Sequence, residues 1–404
     1  MWITNGGFAD LFIVFAKVDG EQFSGFIVER SFPGVTTGKE EHKLGLLGSS
    51  TTPLLLENAR VPAENLLGDI GKGHKIAFNT LNYGRLKLGA MCSGGGRLAI
   101  GEAVRYASER KQFGKPIAAF GAIKHKLGEM IARQHAVESM LYRTAGLIDD
   151  RLQGSHASAD LLAALEEFAI ESSILKVASS ETIDYILDEN LQIHGGNGFV
   201  KDYPAERHYR DARVNRIFEG TNEINRMLIP GMLVRRALKG GPPIIAAAKR
   251  LMDELLAPPA LTPPADAPLE AEVRTVQAMK KIGLMVVGTA LQTYGERLAD
   301  QQEVLLAAAD ILIDIYGSES ALLRALSASA AQPLHAAAAQ VSVNDAAGRV
   351  EQAARTALAG MAEGDSLRTL LAALRRLLKP VPINTIALRR TLADAAVEGR
   401  KYPF

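Results

Sequence analysis

The segment with the clearest chemical potential is Arg216-Ile-Phe-Glu-Gly-Thr-Asn-Glu-Ile-Asn-Arg226. It places a carboxylate, Glu219, on a glycine-containing turn just before a predicted helix that Thr221 can cap. The apolar neighbours Ile217 and Phe218 could remove part of the water around this carboxylate. Loss of water raises a carboxyl pKa towards the working range of a general base. Glu219 is therefore a candidate base, although an acid that only stabilises the helix dipole has the same pattern.

A glycine-rich segment, Gln192-Ile-His-Gly-Gly-Asn-Gly-Phe199, is the second candidate. Gly195 and Gly196 allow positive φ, so their backbone N–H groups can form a concavity that binds a pyrophosphate. The segment is not the strand-turn-helix phosphate fingerprint of dinucleotide folds. An interhelical loop without function fits it equally well.

Two further segments offer flat or basic surfaces. Glu109-Arg-Lys-Gln-Phe-Gly-Lys115 contains Arg110, which can bind phosphate, and Phe113, which can cover an aromatic ring system. A charged helix end accounts for this segment as well. Trp2-Ile-Thr-Asn5 sets an aromatic ring and a hydroxyl on one side of a strand.

The elements that must position these residues change character along the chain. Up to about residue 67 the sequence has short strand patterns separated by turn residues, at Leu11–Lys17, Phe23–Val28 and Thr51–Leu56. From there to Lys239 the apolar period is helical. It predicts a bundle with helices at about 74–111, 120–152, 158–190 and 221–239.

The rest of the chain carries no motif with obvious chemistry. Residues 257–268 are rich in proline and predict an extended connector. Residues 270–400 are rich in alanine and leucine, which indicates a second helical unit. In it, the segment Ser366–Lys379 has a leucine stripe and several basic residues. Such a helix can lie on anionic lipid as a peripheral membrane contact, but an ordinary core-facing helix is the favoured interpretation.

The predicted fold class is therefore mainly α with a small β portion. The predicted domains are a partial β-domain at 1–70, a helical bundle at 71–240, a Pro-rich linker at 241–269 and a C-terminal helical domain at 270–404.

Composition excludes several classes of function. With 46 basic and 45 acidic residues the net charge is +1, which gives no general attraction for nucleic acid. The single cysteine, Cys92, excludes a disulfide framework, and no Cys/His spacing predicts a metal site. A cytoplasmic location is the simplest expectation. The first residues do not form a signal peptide, and no window of 18 uncharged apolar residues predicts a membrane span.

Taken together and in this order, the four segments closely resemble the acyl-CoA dehydrogenase family. The resemblance is strongest to its very-long-chain branch, which has an extra C-terminal helical domain. It implies an acyl-CoA dehydrogenase-type four-helix bundle, FAD as cofactor, an acyl-CoA substrate, a homodimer and an electron-transfer flavoprotein as electron acceptor. It also implies that Glu219 removes the α-proton of a long-chain acyl-CoA while the β-hydride passes to flavin N5, giving a trans-2-enoyl-CoA.

The resemblance assigns roles to further residues. Those expected to bind substrate are Arg85, Asn82, Phe218 and Gly220. Those expected to contact FAD are Trp2 and Thr4 at the flavin ring, with Thr4 near N5; Arg110, Gln112 and Phe113 on the cofactor of the neighbouring subunit; Gln192, Gly195 and Gly196 at its ADP portion; and Thr221 and Glu223. A minority of the family carries the base on the residue before the arginine that matches Arg85. Here that residue is Gly84, so the alternative base position is empty.

The sequence departs from the family at its start, because the N-terminal helical domain and the first strands of the family are absent. If Met1 is an internal methionine, the intact product is expected to be an ordinary dehydrogenase. The alternative from another class is a non-catalytic relic that acts as a dimerisation or assembly scaffold. The motifs do not separate a dehydrogenase from an oxidase, and they do not fix the acyl chain length.

Overall fold

The computed structural model describes residues 1–241, 243–256, 267–328, 332–379 and 381–404. Its fold is mainly helical with small sheets, which confirms the predicted fold class. The strands are β1 (Trp2–Thr4), β2 (Leu11–Val18), β3 (Gln22–Glu29), β4 (Val35–Thr37), β5 (Thr51–Leu56), β6 (Leu66–Leu67), β7 (Lys111–Gln112) and β8 (Lys115–Pro116).

The first six strands form two antiparallel sheets of three strands. Their orders are β1-β5-β4 and β2-β3-β6. Strands β2 and β3 form a hairpin in which Leu11 pairs with Glu29 and Val18 with Gln22. Asp19 and Gly20 at its tip have positive φ, which is the turn chemistry that a tight hairpin requires. The three strand patterns found in the sequence are all present as strands.

The helices of the predicted bundle are α1 (Gly73–Glu109), α2 (Gly121–Leu152), α3 (Ser158–Glu167), α4 (Ala169–His194), α5 (Ala205–Ala212) and α6 (Asn222–Leu238). The bundle differs from the prediction in two places. The segment 158–190 was expected as one helix, but Phe168 leaves the helical region and packs its side chain with Ile148 and Leu165. Helix α5 was not predicted; it begins directly after Pro204, at a position where proline is compatible with a helix start.

Helices α1 and α4 run parallel and in close contact through much of their length. Glycines on α1 permit this, because an ideal Cβ at Gly89 would lie 2.5 Å from Leu175 Cγ. Nearer the C-terminal ends of both helices, the Tyr106 ring stacks on His194 with centroids 4.1 Å apart. The two helices therefore form one rod, and residues at opposite ends of it are far apart.

The remaining helices are α7 (Ile244–Leu256), α8 (Glu270–Tyr294), α9 (Gln302–Ser327), α10 (Pro333–Met361), α11 (Gly364–Leu377) and α12 (Thr385–Gly399). Helix α7 lies inside the predicted linker at 241–269, so the first part of that linker is helical. Most of the predicted Pro-rich connector, 257–266, lies outside the described residues.

The C-terminal helices pack on the bundle and share its core. Val341 of α10 and Leu392 of α12 are buried in the same apolar cluster as Ile100 of α1 and Leu127 of α2. Across this boundary, Arg389 pairs with Glu129. The C-terminal helices are therefore continuous with the bundle through both apolar and ionic contacts.

Helix α11 is a core-facing helix, as favoured from the sequence. Leu370 and Leu374 are buried in the core of the C-terminal helices, and the Arg368 side chain is 82% exposed. Among the described residues, no helix combines the length and the apolar character needed to cross a membrane.

Candidate active site

Glu219 lies on a turn between a short 3₁₀ helix, Arg213–Arg216, and helix α6. Its φ is +58° and that of Gly220 is +79°, so two successive residues adopt the left-handed region. A non-glycine residue in this region costs about 1–2 kcal/mol and needs support from its surroundings. The helix that follows is capped as predicted, because the Ile224 N–H donates to Thr221 Oγ1 (3.3 Å).

Side chains from three helices hold the carbonyl groups of this turn. Arg85 of α1 donates from Nε to the Glu219 carbonyl oxygen (3.2 Å). Lys176 of α4 donates from Nζ to the Gly220 carbonyl oxygen (2.7 Å). Asn225 of α6 donates from Nδ2 to the same oxygen (2.9 Å). The backbone of the turn is thus fixed from three directions.

The carboxylate of Glu219 lies against α1 at Gly84. An ideal Cβ at residue 84 would be 2.7 Å from Glu219 Cδ, so a larger residue there would force the carboxylate to move. The side chain is half-buried, and burial raises the pKa of Glu219, opposed by the positive charges of Arg85, Lys176 and Lys87. The direction of this shift agrees with the sequence-based expectation. The same space would receive a base carried at position 84.

The source of this burial differs from the expectation. Ile217 and Phe218 were expected to shield Glu219, but they are 54% and 36% exposed. The close packing of the Glu219 carboxylate on Gly84 was not foreseen. A helix that approaches from elsewhere in the chain therefore shields the Glu219 carboxylate.

Arg85 is buried beneath the turn. Besides the Glu219 carbonyl, it donates from Nη1 to Asn82 Oδ1 (3.2 Å) and to Ser173 Oγ (3.5 Å). Burial lowers the pKa of Arg85, and the charge of Glu219 opposes that change. Asn82 is buried as well and contacts the arginine. The structure thus brings together four of the predicted residues: Glu219, Gly220, Arg85 and Asn82.

The glycine-rich segment lies at the C-terminal end of α4. It forms a 3₁₀ helix, Gly195–Phe199, in which Gly195 has a φ of +57°. Gln192, Gly195 and Gly196 are exposed, and a Cβ added at either glycine would meet no atom within 4 Å. The loop therefore offers an open backbone face.

The segment at 109–115 lies at the same end of the rod. Tyr106, one turn before Arg110, donates from its hydroxyl to the His194 carbonyl oxygen (3.1 Å). Beyond α1, strands β7 and β8 form a hairpin whose tip residue Phe113 has a φ of +50° and is 91% exposed. Arg110 and Gln112 are exposed too. The two predicted cofactor segments are neighbours in this fold.

Trp2 and Thr4 lie on β1, where they pair with Pro53 and Thr51 of β5. Both are exposed, and the Trp2 side chain is 70% exposed. Glu223 is exposed in the first turn of α6, where its own backbone N–H and the Thr221 side chain lower its carboxyl pKa.

The predicted residues do not form one cluster within a single chain. Gly84, which contacts Glu219, and Glu109, which precedes Arg110, are both on α1. They are 25 positions apart on this helix, which corresponds to about 37 Å at 1.5 Å per residue. Glu219 and the Phe113 hairpin therefore lie near opposite ends of the rod.

Sequence reasoning missed the polar residues that support the turn. Lys176, Asn222 and Asn225 are buried, and all three are bonded to the turn or to each other. The available signal was a lysine within the mostly apolar stretch Ile174-Leu-Lys-Val-Ala178 of a buried helix. A lysine there needs acceptors, but the sequence does not say which ones.

Three family models match this chain. The model for "Acyl-CoA dehydrogenase, middle domain" matches residues 1–59. Two models for "Acyl-CoA dehydrogenase, C-terminal domain" match residues 71–232 and 278–376.

Known proteins resemble the chain over different lengths. A "Probable acyl-CoA dehydrogenase" of Bacillus subtilis (strain 168) is 47% identical over 413 residues, which cover 99% of this chain and 69% of that protein. The "Very long-chain specific acyl-CoA dehydrogenase, mitochondrial" of Macaca fascicularis is 42% identical over 238 residues, 57% of this chain and 34% of that protein. A crystal structure of an acyl-CoA dehydrogenase complexed with FAD, from Bacillus anthracis, is 44% identical with a TM-score of 0.95. The match covers 99% of this chain and 70% of the chain in that structure.

Proposed function

This chain belongs to the acyl-CoA dehydrogenase family, and we propose that Glu219 is the base of an FAD-dependent α,β-dehydrogenation of a fatty acyl-CoA. The observation that carries the proposal is the half-buried Glu219 carboxylate, fixed on a left-handed turn beside Arg85. Burial raises the pKa of Glu219, which brings it closer to that of an effective general base.

The reaction removes a proton and a hydride from neighbouring carbons. At the α-carbon the C–H bond breaks, its electron pair stays with the acyl group, and the proton moves to a carboxylate oxygen of Glu219. At the β-carbon the hydrogen leaves with its electron pair, and a trans double bond forms between the two carbons. When bound, FAD supplies the acceptor for that hydride. The fixed turn keeps the Glu219 carboxylate in one place for the proton transfer.

The residues present fit FAD by their chemistry. Gly195 and Gly196 offer backbone N–H groups on an open face, which suits a pyrophosphate. Arg110 is an exposed guanidinium, and Phe113 and Trp2 are exposed rings that suit a flat cofactor. Gln112, Gln192, Thr4, Thr221 and Glu223 would supply further polar contacts.

We propose that two copies of the chain build each site. The separation of about 37 Å along α1 prevents Phe113 and Glu219 of one copy from meeting at the same flavin. A two-fold dimer solves this, because the exposed hairpin of one copy can reach the cofactor of the other.

The acyl chain length, the electron acceptor and the cellular location are predictions. The match to a very-long-chain relative supports a long acyl chain, with Phe218 and Gly220 at the thioester. The electron-transfer flavoprotein, as electron acceptor, and a cytoplasmic location are predictions of the same kind.

The test is anaerobic bleaching of the flavin. The purified chain, supplied with FAD, is expected to turn yellow and to bleach on addition of palmitoyl-CoA. Glu219→Gln should retain the flavin but lose bleaching by about 10²- to 10⁴-fold, the usual contribution of a general base. Glu166→Gln, which changes an exposed carboxylate on α3, is the matched control and should bleach normally.

Two outcomes would contradict the proposal. Full bleaching by Glu219→Gln would remove this residue from the mechanism. A colourless chain that binds no FAD would support the scaffold alternative.

A further inference from the structure

Lys176 is a fully buried lysine that no predicted role uses. Lys176 is a residue of α4, and its side chain has no exposed surface. Its Nζ donates to the Gly220 carbonyl oxygen and to Asn222 Oδ1, both at 2.7 Å. Placing an ammonium away from water costs several kcal/mol unless its donors are satisfied. A methionine would fill the same volume without that cost, so the two bonds point to a specific task for the ammonium.

These acceptors tie the base turn to the start of the next helix. Gly220 follows Glu219 in the strained turn, and Asn222 is the first residue of α6. One ammonium thus bridges the turn and the helix.

Asn222 is itself held firmly. Its Oδ1 also accepts from Ser180 Oγ (3.2 Å), and its Nδ2 donates to Glu181 Oε1 (3.0 Å). Glu181 accepts two bonds from Arg226, at 2.6 and 2.9 Å, and Arg226 also pairs with Asp310 of α9 at 2.7 Å. A continuous chain of polar contacts therefore runs from the Gly220 carbonyl to the C-terminal helices.

We infer that Lys176 is a positioning residue that fixes the Glu219–Gly220 turn and thereby keeps the Glu219 carboxylate against Gly84. The inference rests on the proposed function, because the position of the carboxylate matters for catalysis only if Glu219 is the base. It gives the C-terminal helices a part in the site, since their Asp310 closes the chain that anchors Lys176.

Electrostatics adds a second effect of the same side chain. Lys176 is one of the positive groups that lower the pKa of Glu219, after Arg85. Burial, followed by the charge of Arg85, lowers the pKa of Lys176 to about 8, while Cys92, Glu223 and Glu181 oppose that change. The ammonium form therefore predominates below about pH 8.

The first measurement is hydrogen–deuterium exchange of the full chain, which needs no activity. In the segment 217–225, the Ile217 and Phe218 amides donate to the Val214 carbonyl oxygen, and the Ile224 and Asn225 amides donate to Thr221. In Lys176→Met we expect faster exchange in this segment. Lys126→Met is the matched control, because Lys126 also joins two helices through an ion pair, with Glu189, but is not bonded to the turn. It should leave exchange at 217–225 unchanged.

The second measurement is the FAD-loaded protein with palmitoyl-CoA. Lys176→Met should lower kcat by about 10- to 100-fold with little change in KM, the effect expected when a catalytic group is misplaced. Because the mutation removes a positive charge near Glu219, the acidic limb of the pH–rate profile should move to higher pH. Lys126→Met, which removes the charge of a lysine that is not bonded to the turn, should leave this limb unchanged.

Asn222→Ala is a second variant that tests the inference if Lys176→Met does not fold. It keeps the ammonium but removes one of its two acceptors, so exchange at 217–225 should again rise. Wild-type exchange at 217–225 in both variants would overturn the inference, whatever Glu219→Gln shows. Normal activity of Glu219→Gln would instead overturn the proposed function and leave the exchange result standing.

Discussion

The Glu219 carboxylate packs directly against α1, because Gly84 has no side chain to keep it away. It cannot move further towards this helix. Gly84→Ala should push the carboxylate away and lower activity by about 10-fold or more, as expected for a displaced base. The rate of flavin bleaching by palmitoyl-CoA measures this effect.

Gly94→Ala is the control for that change. Gly94 lies on the same helix, and a Cβ there would meet no atom within 4 Å. Alanine should therefore be neutral for activity and should stabilise the helix by about 0.5–1 kcal/mol. Equal activity of the two variants would show that Gly84 does not confine the carboxylate.

At this scale the sequence predicted the local features well. A carboxylate on a glycine turn and a helix capped by Thr221 follow from adjacent residue types. The raised pKa of Glu219 was expected in direction, but the carboxylate is buried against a distant helix and not against its sequence neighbours. The contacts of Gly84 and Lys176 could not be predicted, because they depend on which helices become neighbours. Adjacent residues determine the local chemistry, whereas the contacts of Gly84, Arg85 and Lys176 come from about 40 to 135 positions away.

Helices α1 and α4 depend on a small residue at their contact. A side chain at position 89 would overlap Leu175, because the space for a Cβ is only 2.5 Å from Leu175 Cγ. Gly89→Ala should therefore destabilise the protein by about 1–3 kcal/mol, the usual cost of overpacking a core. Urea unfolding measures the change.

Gly146→Ala on α2 is its counterpart, since no atom lies within 4 Å of a Cβ there. If Gly89→Ala were as stable as Gly146→Ala, the close approach of α1 and α4 would be wrong.

Helical periodicity predicted most elements but not their interruptions. The long apolar patterns correspond to α1, α2 and α6 within two residues. The break at Phe168 and the helix that follows Pro204 depend on packing and on backbone choices that periodicity does not encode. Within the predicted linker, α7 likewise has its own apolar period, which the prolines around it obscured.

Each chain carries the two parts of the proposed site, Glu219 and the Phe113 hairpin, far apart. If each site combines parts from two copies, a mixture of two differently defective variants should regain activity. Glu219→Gln and the double variant Arg110→Ala/Phe113→Ala are each expected to be inactive alone. Co-expressed in equal amounts, they should regain about a quarter of wild-type activity, because half the dimers are mixed and each mixed dimer has one intact site. Bleaching by palmitoyl-CoA again measures the result.

A mixture that stays as inactive as its parts would show that each copy uses its own Phe113. Co-expression of Glu219→Gln with Gly84→Ala is the control, since both changes affect the same half-site and their mixture should not recover activity.

The ionised form of Glu219, which can accept a proton, is also the form that lowers the stability of the folded chain. Its carboxyl pKa is raised in the folded chain, so the folded state binds that proton more tightly than the unfolded state does. The resulting stabilisation is fully present below the unfolded pKa and is lost as the pH rises through the folded pKa. Under the conditions in which Glu219 can accept a proton, its ionised form therefore opposes the native state, and the rest of the molecule must be stable enough to tolerate it.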